Sequence, residues 1–245
     1  MTQSAPDGTM RRIWAAVPFR GPVGSKRRLA GLLDASERER LSVAMLADVL
    51  DVLLASDRIE RVLLLTPSRE DVATPEHARL TIVEERRESD GTAAVSGLNP
   101  ALLHAQQLAE RGGAEGLLIV PADLPLIAPS DLDAVLDASV TVDMVIVPDR
   151  AIEGTNALLL APPTALEPSF GEASLSRHLQ LAHDAHLRVA LVERAGLALD
   201  LDTPADVAVL MGGHHVGRAA TLLRALKIER RLGPPEPAQA RSTTI

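Results

Sequence analysis

Three aspartates carry the residue types and spacing from which chemistry can be read. Asp123, in "VPADLPL", leaves the end of an apolar run and meets a Leu-Pro break at once. Asp200 and Asp202 stand two apart in "LALDLDTPADV", and in an extended chain residues i and i+2 project from one face, so both carboxylates point the same way. Clustered anions are unfavourable unless a cation joins them. Mg²⁺, held by one or two carboxylates together with substrate phosphates, is the natural candidate. The cationic counterpart lies early, in "AAVPFRGPVGSKRRLAGLL" (Ala15 to Leu33), where Arg20, Lys26, Arg27 and Arg28 gather on a glycine-containing loop. The loop approaches a P-loop without meeting its pattern: the order is Gly-Ser-Lys-Arg, and the hydroxyl that would follow the lysine and hold a metal is missing. Backbone N–H groups beside the glycines and the Lys26 ammonium suit a polyphosphate, and the metal must then be held elsewhere, by the aspartates. Taken singly, Asp123 reads as a turn cap and Asp202 as part of a helix start. Taken with the basic loop, they favour a metal–nucleotide site.

Those residues need a scaffold that brings distant segments together. Continuous apolar runs at Arg12–Phe19, Arg61–Pro67, Glu115–Asp123 and Val142–Asp149 suit strands covered on both faces, hence a largely parallel sheet. Weaker strand candidates are Leu80–Glu84, Ala157–Leu160, Leu187–Val192 and Leu197–Leu201. Helices are expected between them. Ser36 with Glu39 has the spacing of a capping box before an amphipathic run whose apolar face is Val43, Leu46, Ala47, Leu50, Leu53 and Leu54. Asn99–Arg111, Ser130–Ala138 and Ala173–His186 are further helices, and Thr203-Pro204 reads as an N-cap with proline at the first helical position. Strand–helix alternation means an α/β fold. Asp123, at a strand's carboxyl end, then sits where ligands of open α/β sheets collect.

Composition narrows the partners. The chain has 245 residues, a net charge of −8 and no cysteine, which removes disulfides and thiolate metal sites. An acidic chain whose aromatics are Trp14, Phe19 and Phe170 is a poor nucleic-acid binder, lacking both the excess of cations and the stacking platforms. No segment reads as a signal peptide or a membrane span, so a cytoplasmic protein with no membrane partner is expected. The expected organisation is a short N-terminal arm (1–11), one domain (12–211), one further helix (212–232) and a polar, proline-rich tail (233–245).

Six stretches in order, "VPFRGPVGSKRRLAGLL", "GLNPAL", "VPADLPLI", "EGTNALLL", "FGEASLSRH" and "LDLDTPADV", resemble the family of 2-phospholactate, phosphoenolpyruvate and 3-phosphoglycerate guanylyltransferases of coenzyme F(420) biosynthesis. The resemblance implies a single-domain nucleotidyltransferase α/β sandwich of three layers, and GTP and a small phosphorylated carboxylic acid as partners. It assigns Asp123, Asp200 and Asp202 to catalytic Mg²⁺ binding, and Thr155, Gly171 and Ser174 to the phospho-acid. Pro18, Arg20, Lys26, Arg28, Gly97 and Asn99 fall on the GTP side. The residues themselves agree: Gly171 and Ser174 precede a helix whose N-terminal N–H groups favour anions, and Thr155 adds a hydroxyl. Arg177 either approaches an anionic group or, like His178, belongs to a solvated helix face.

The reaction implied is attack by a phosphate oxygen of the acid on the α-phosphorus of GTP, with pyrophosphate leaving. That nucleophile is already ionised near neutral pH, so the lack of a Ser-His-Asp or Cys-His constellation is expected. Two other readings stand beside it: a nucleotidyltransferase for molybdopterin or a sugar phosphate, and a non-catalytic nucleotide-binding protein of the same fold. The loop lacks the "GGxSxRMGxxK" pattern of the molybdopterin enzymes, and the retained aspartates disfavour a non-catalytic role. Which three-carbon acid is the acceptor, and whether guanine is chosen over adenine, are not readable from the residues. The oligomeric state is equally open; a homodimer would be unsurprising.

Overall fold

A computed structural model describes residues 11–72, 74, 76–84 and 97–232. Seven strands form one sheet: Ile13–Pro18 (β1), Ile59–Thr66 (β2), Leu80–Glu84 (β3), Gly116–Ile119 (β4), Met144–Pro148 (β5), Thr155–Leu160 (β6) and Val189–Leu191 (β7). Their spatial order is β3-β2-β1-β4-β6-β5-β7. Strand β6 runs antiparallel to β4 and β5, and the remaining pairs are parallel. The chain winds one way through β1, β2 and β3, then returns to place β4 on the other side of β1. The winding thus reverses between β1 and β4, and the carboxyl ends of strands at such a switch point are the usual ligand position in open α/β sheets. Because β6 is reversed, its first residue, Thr155, lies at the same end of the sheet as the last residues of β4 and β5.

Helices cover both faces: Ala35–Ala55 (α1), Leu98–Arg111 (α2), Pro129–Ala138 (α3), Ser174–Asp184 (α4), Ala195–Ala198 (α5), Pro204–Gly212 (α6) and Arg218–Ala225 (α7). The alternation of β1 sorts its side chains into two cores. Ile13, Ala15 and Val17 pack with α1 and α3, while Trp14 and Ala16 pack with α2 and α4. This is the expected three-layer sandwich. A third apolar cluster joins Leu29, Leu33 and Leu41 to Leu201, Val207 and Leu223, so the loop after β1 is anchored against α6 and α7. The carboxylate of Asp48 on α1 accepts hydrogen bonds from Arg218 N and Ala219 N at 2.6 and 2.9 Å, capping α7. Arg231 clamps Glu37 through two bonds of 2.6 and 2.8 Å.

Three local expectations are corrected. The capping box of α1 is Asp34 with Glu37, two residues before Ser36: Asp34 Oδ1 accepts from Glu37 N at 2.8 Å and Glu37 Oε2 from Asp34 N at 3.0 Å. A carboxylate and a hydroxyl cap equally well, and the two spacings overlap in "DASERE". The inward face of α1 is Leu41, Met45, Leu46, Val49, Leu50 and Leu53. Of the expected face, Leu54 packs against the core from its edge, while Val43 and Ala47 turn to an open groove of about 710 Å³. Finally, Leu197–Leu201 is no strand. Ala195–Ala198 is a helical turn, because Arg194 pairs with Asp131 at 2.9 Å and Gly196 lies so close to the Asp131 carboxylate and Leu126 O that no side chain fits there. Beyond it, Leu199 and Leu201 are buried while Asp200 and Asp202 are half-buried. The alternation of a strand persists without a strand partner. The "GLNPAL" turn begins within the described residues at Gly97; the tail 233–245 and residues 1–10 lie outside them.

Candidate functional site

The site assembles at the carboxyl ends of the neighbouring strands β1 and β4. The loop after β1 turns through left-handed backbone at Gly24 (φ 71°) and Lys26 (φ 51°), which glycine adopts freely and lysine only under tertiary constraint. The constraint is visible. Lys26 Nζ donates to Asp123 Oδ2 at 2.7 Å and to Asp202 Oδ1 at 2.6 Å, with its side chain 8% exposed against 30% and 39% for the two aspartates. Asp123 arrives on the turn after β4, and Leu201 N donates to Asp123 O at 3.1 Å, which fastens the "LDLD" segment beside it. Asp206 completes the fastening by accepting from Thr203 N at 2.8 Å and Thr203 Oγ1 at 2.7 Å, the expected cap of α6.

The electrostatics follow from this crowding. Burial alone would lower the Lys26 ammonium, but Asp123 and then Asp202 outweigh it and hold the group above its ordinary 10.5. Burial pushes the Asp200 carboxyl up, and the charges of Asp123 and Asp202 push it the same way. Asp200 thus stands beside two carboxylates that share the Lys26 ammonium. Among the described residues no group of three or more acidic or histidine side chains converges in metal-holding geometry. Asp123 and Asp202 face one another across the single Lys26 ammonium, and Asp200 lies near enough to feel both charges. Arg20 and Arg28 are exposed and form no ion pair with a described residue, and Pro18 closes β1.

A second corner forms at the start of β6. Thr155 N donates to Ser174 Oγ at 2.9 Å. Thr155 Oγ1 lies 3.0 Å from Nδ1 of His178, whose Nε2 accepts from Ser169 N at 2.9 Å. Gly171 takes φ 127°, open to glycine and strained for other residues. Asn99, expected on the GTP side, clasps this corner: its Nδ2 donates to Phe170 O at 3.1 Å and its Oδ1 accepts from Phe170 N at 2.8 Å. The Arg177 guanidinium is spent on Glu172 O. His178 departs from the solvated-face reading; it is fully buried, edge-on to Phe170 at 5.0 Å, and burial lowers it to about 4. Helical spacing held the signal, since His178 falls on the buried stripe of Ser174, Leu175 and Ala182.

Residues 13–240 match the family model described as "Guanylyl transferase CofC like". The chain belongs to the CofC-like guanylyltransferase family. It is 40% identical over 199 residues to the phosphoenolpyruvate guanylyltransferase of Conexibacter woesei, covering 80% of this chain and 86% of that protein. To the 3-phospho-D-glycerate guanylyltransferase of Phenylobacterium zucineum it is 33% identical, covering 87% and 96%. To the 2-phospho-L-lactate guanylyltransferase of Methanobrevibacter smithii it is 27% identical, covering 89% and 92%. A solved nucleotidyl transferase from Methanothermobacter shares the fold at TM-score 0.57 and 17% identity, covering 87% of this chain and 99% of its own. The CofC-like chain is thus a guanylyltransferase by family and a nucleotidyltransferase by fold. Among its described residues no helix is long and apolar enough to cross a membrane.

Proposed function

We propose that the protein transfers GMP from GTP to the phosphate of a three-carbon phospho-acid, releasing pyrophosphate, as a step in coenzyme F(420) biosynthesis. The observation that carries this reading is the pair of carboxylates, Asp123 and Asp202, that flank the Lys26 ammonium at the carboxyl ends of β1 and β4. Its all-oxygen chemistry fits Mg²⁺, which takes one or two carboxylates and completes its shell with substrate phosphates. Asp123 and Asp202 would hold the ion with Asp200 beside them, and when bound it neutralises charge developing on the phosphates. Lys26 hands its ammonium to the triphosphate, and the exposed Arg20 and Arg28 draw the same polyanion to the loop. The corner of Thr155, Gly171 and Ser174 receives the acid. Its phosphate oxygen attacks the α-phosphorus, the bond from α-phosphorus to the bridging oxygen breaks, and no protein base is needed. The chain contributes alignment, an effect worth up to about 7–11 kcal/mol in well-oriented systems.

Phosphoenolpyruvate is the first acceptor to test, because relatives named for it are 40% and 42% identical to this chain. The decisive assay follows pyrophosphate release by the purified protein with Mg²⁺, offering GTP or ATP against phosphoenolpyruvate, 3-phosphoglycerate and 2-phospholactate. Release with GTP and one of these acids is expected; no release with any pair overturns the reading.

A further inference from the structure

His178 is the one histidine among the described residues that is wholly buried, and the reaction above gives it no task. Its two ring nitrogens face different partners. Ser169 N is a backbone donor with no acceptor capacity, so the Nε2 it meets at 2.9 Å must carry a lone pair. In a neutral imidazole the proton then resides on Nδ1, which faces Thr155 Oγ1 at 3.0 Å. The threonine oxygen therefore accepts from the ring, and its own hydroxyl hydrogen is left for another acceptor. No described protein group takes that hydrogen. The neighbouring bonds hold the arrangement still, with Thr155 N on Ser174 Oγ, Phe170 gripped from both sides by Asn99, and the Phe170 ring edge-on to the imidazole.

We propose that His178 is a positioning residue: its Nδ1–H engages the lone pair of Thr155 Oγ1 and turns the threonine hydroxyl into an obligate donor toward an anionic oxygen of the acceptor. This rests on the reading that the phospho-acid binds at the start of β6. Burial keeps the ring neutral near physiological pH, lowering it to about 4. The groups facing the ring are Thr155 from β6, Ser169 and Phe170 from the preceding loop, and the Arg177 charge from its own helix, which also disfavours an imidazolium.

Two measurements test this. Nitrogen-15 NMR of the histidine-labelled wild-type protein at pH 7 should show a protonated, pyrrole-type Nδ1 and a pyridine-type Nε2 for His178. The opposite tautomer overturns the proposal, and no variant need fold. The kinetic test uses two substitutions that separate the ring nitrogens. His178→Asn keeps an amide donor near the Nδ1 position, and His178→Gln places its amide at the Nε2 position and abandons Thr155. With whichever of the three acids turns over fastest, His178→Gln should raise the acid KM about tenfold, the worth of one hydrogen bond to a charged group. His178→Asn should stay within about threefold, and the KM for GTP should hold in both. In a Thr155→Val background, which itself raises the acid KM, His178→Gln should add nothing further. Equal KM values for the Asn and Gln variants, or a Gln effect undiminished in the Thr155→Val background, overturn the link while leaving the acid's position intact. If Thr155→Val alone leaves the acid KM at the wild-type value, the position of the acid fails, and the role of His178 fails with it.

Discussion

Replacing Lys26 by methionine removes the ammonium that joins Asp123 to Asp202 and keeps a side chain of similar length. The bonds are short, 2.7 and 2.6 Å, and the lysine side chain is 8% exposed while the aspartates are 30% and 39% exposed. Deleting one partner of a fully buried pair costs about 3–5 kcal/mol, whereas an exposed pair is worth about 0–1 kcal/mol. A buried cation between two carboxylates open to water by about a third lies between these limits, at about 2 kcal/mol. For a protein of this size each kcal/mol moves Tm by about 2–4 °C, so Lys26→Met should melt about 4–8 °C lower in metal-free buffer. Scanning calorimetry at pH 7 reads the shift. Added Mg²⁺ should then raise the Tm of the variant by more than that of the wild type, because the ion supplies the missing charge without displacing an ammonium. A variant melting at or above the wild type without metal would show that the carboxylates need no balancing cation, and the reading of the pair as a cation site would fail.

Asp123→Asn should reduce turnover by at least about a hundredfold while the protein keeps its circular dichroism, since one carboxylate of the pair is lost but its backbone link to Leu201 is retained; near-normal turnover would remove Asp123 from the chemistry. Asp200→Asn should melt above the wild type in metal-free buffer, because it deletes a half-buried charge crowded by Asp123 and Asp202, and should nevertheless lose turnover; a lower Tm would mean that the charge is already compensated. His178 titrates near 6.5 when unfolded and at about 4 when folded, so between those values the unfolded chain binds the extra proton and stability falls as pH falls. At 1.36 kcal/mol for each pH unit the loss is about 3 kcal/mol across that window. Denaturant titrations from pH 7 to pH 4 should show it in the wild type and a shallower fall in His178→Asn; parallel curves would contradict a buried neutral ring.

The aspartates, the basic loop and the order of strands and helices were legible in the sequence because each rests on local pattern. Continuous apolar runs marked the buried parallel strands, Thr203-Pro204 marked the start of α6, and Gly-Ser-Lys-Arg set the loop apart from a P-loop. Where two local patterns coincided, the sequence was ambiguous. "DASERE" offers two capping boxes, and the alternation over 197–202 looks like a strand because buried and half-buried residues alternate there as well. Only the packing of Gly196 against Asp131 and Leu126 tells the difference.

By its residue types and their order, the chain determined which groups are available: three carboxylates, one lysine among arginines, a glycine-led helix start, and no thiol. The tertiary structure alone decided that the Lys26 ammonium lies between Asp123 and Asp202, positions 97 and 176 residues away from it along the chain. It also decided that His178 turns inward to Thr155 and not out to water. Both outcomes depend on strands β1, β4 and β6 meeting at one end of the sheet. Contacts of such sequence separation are set by topology and by the burial of two cores, which no local pattern encodes.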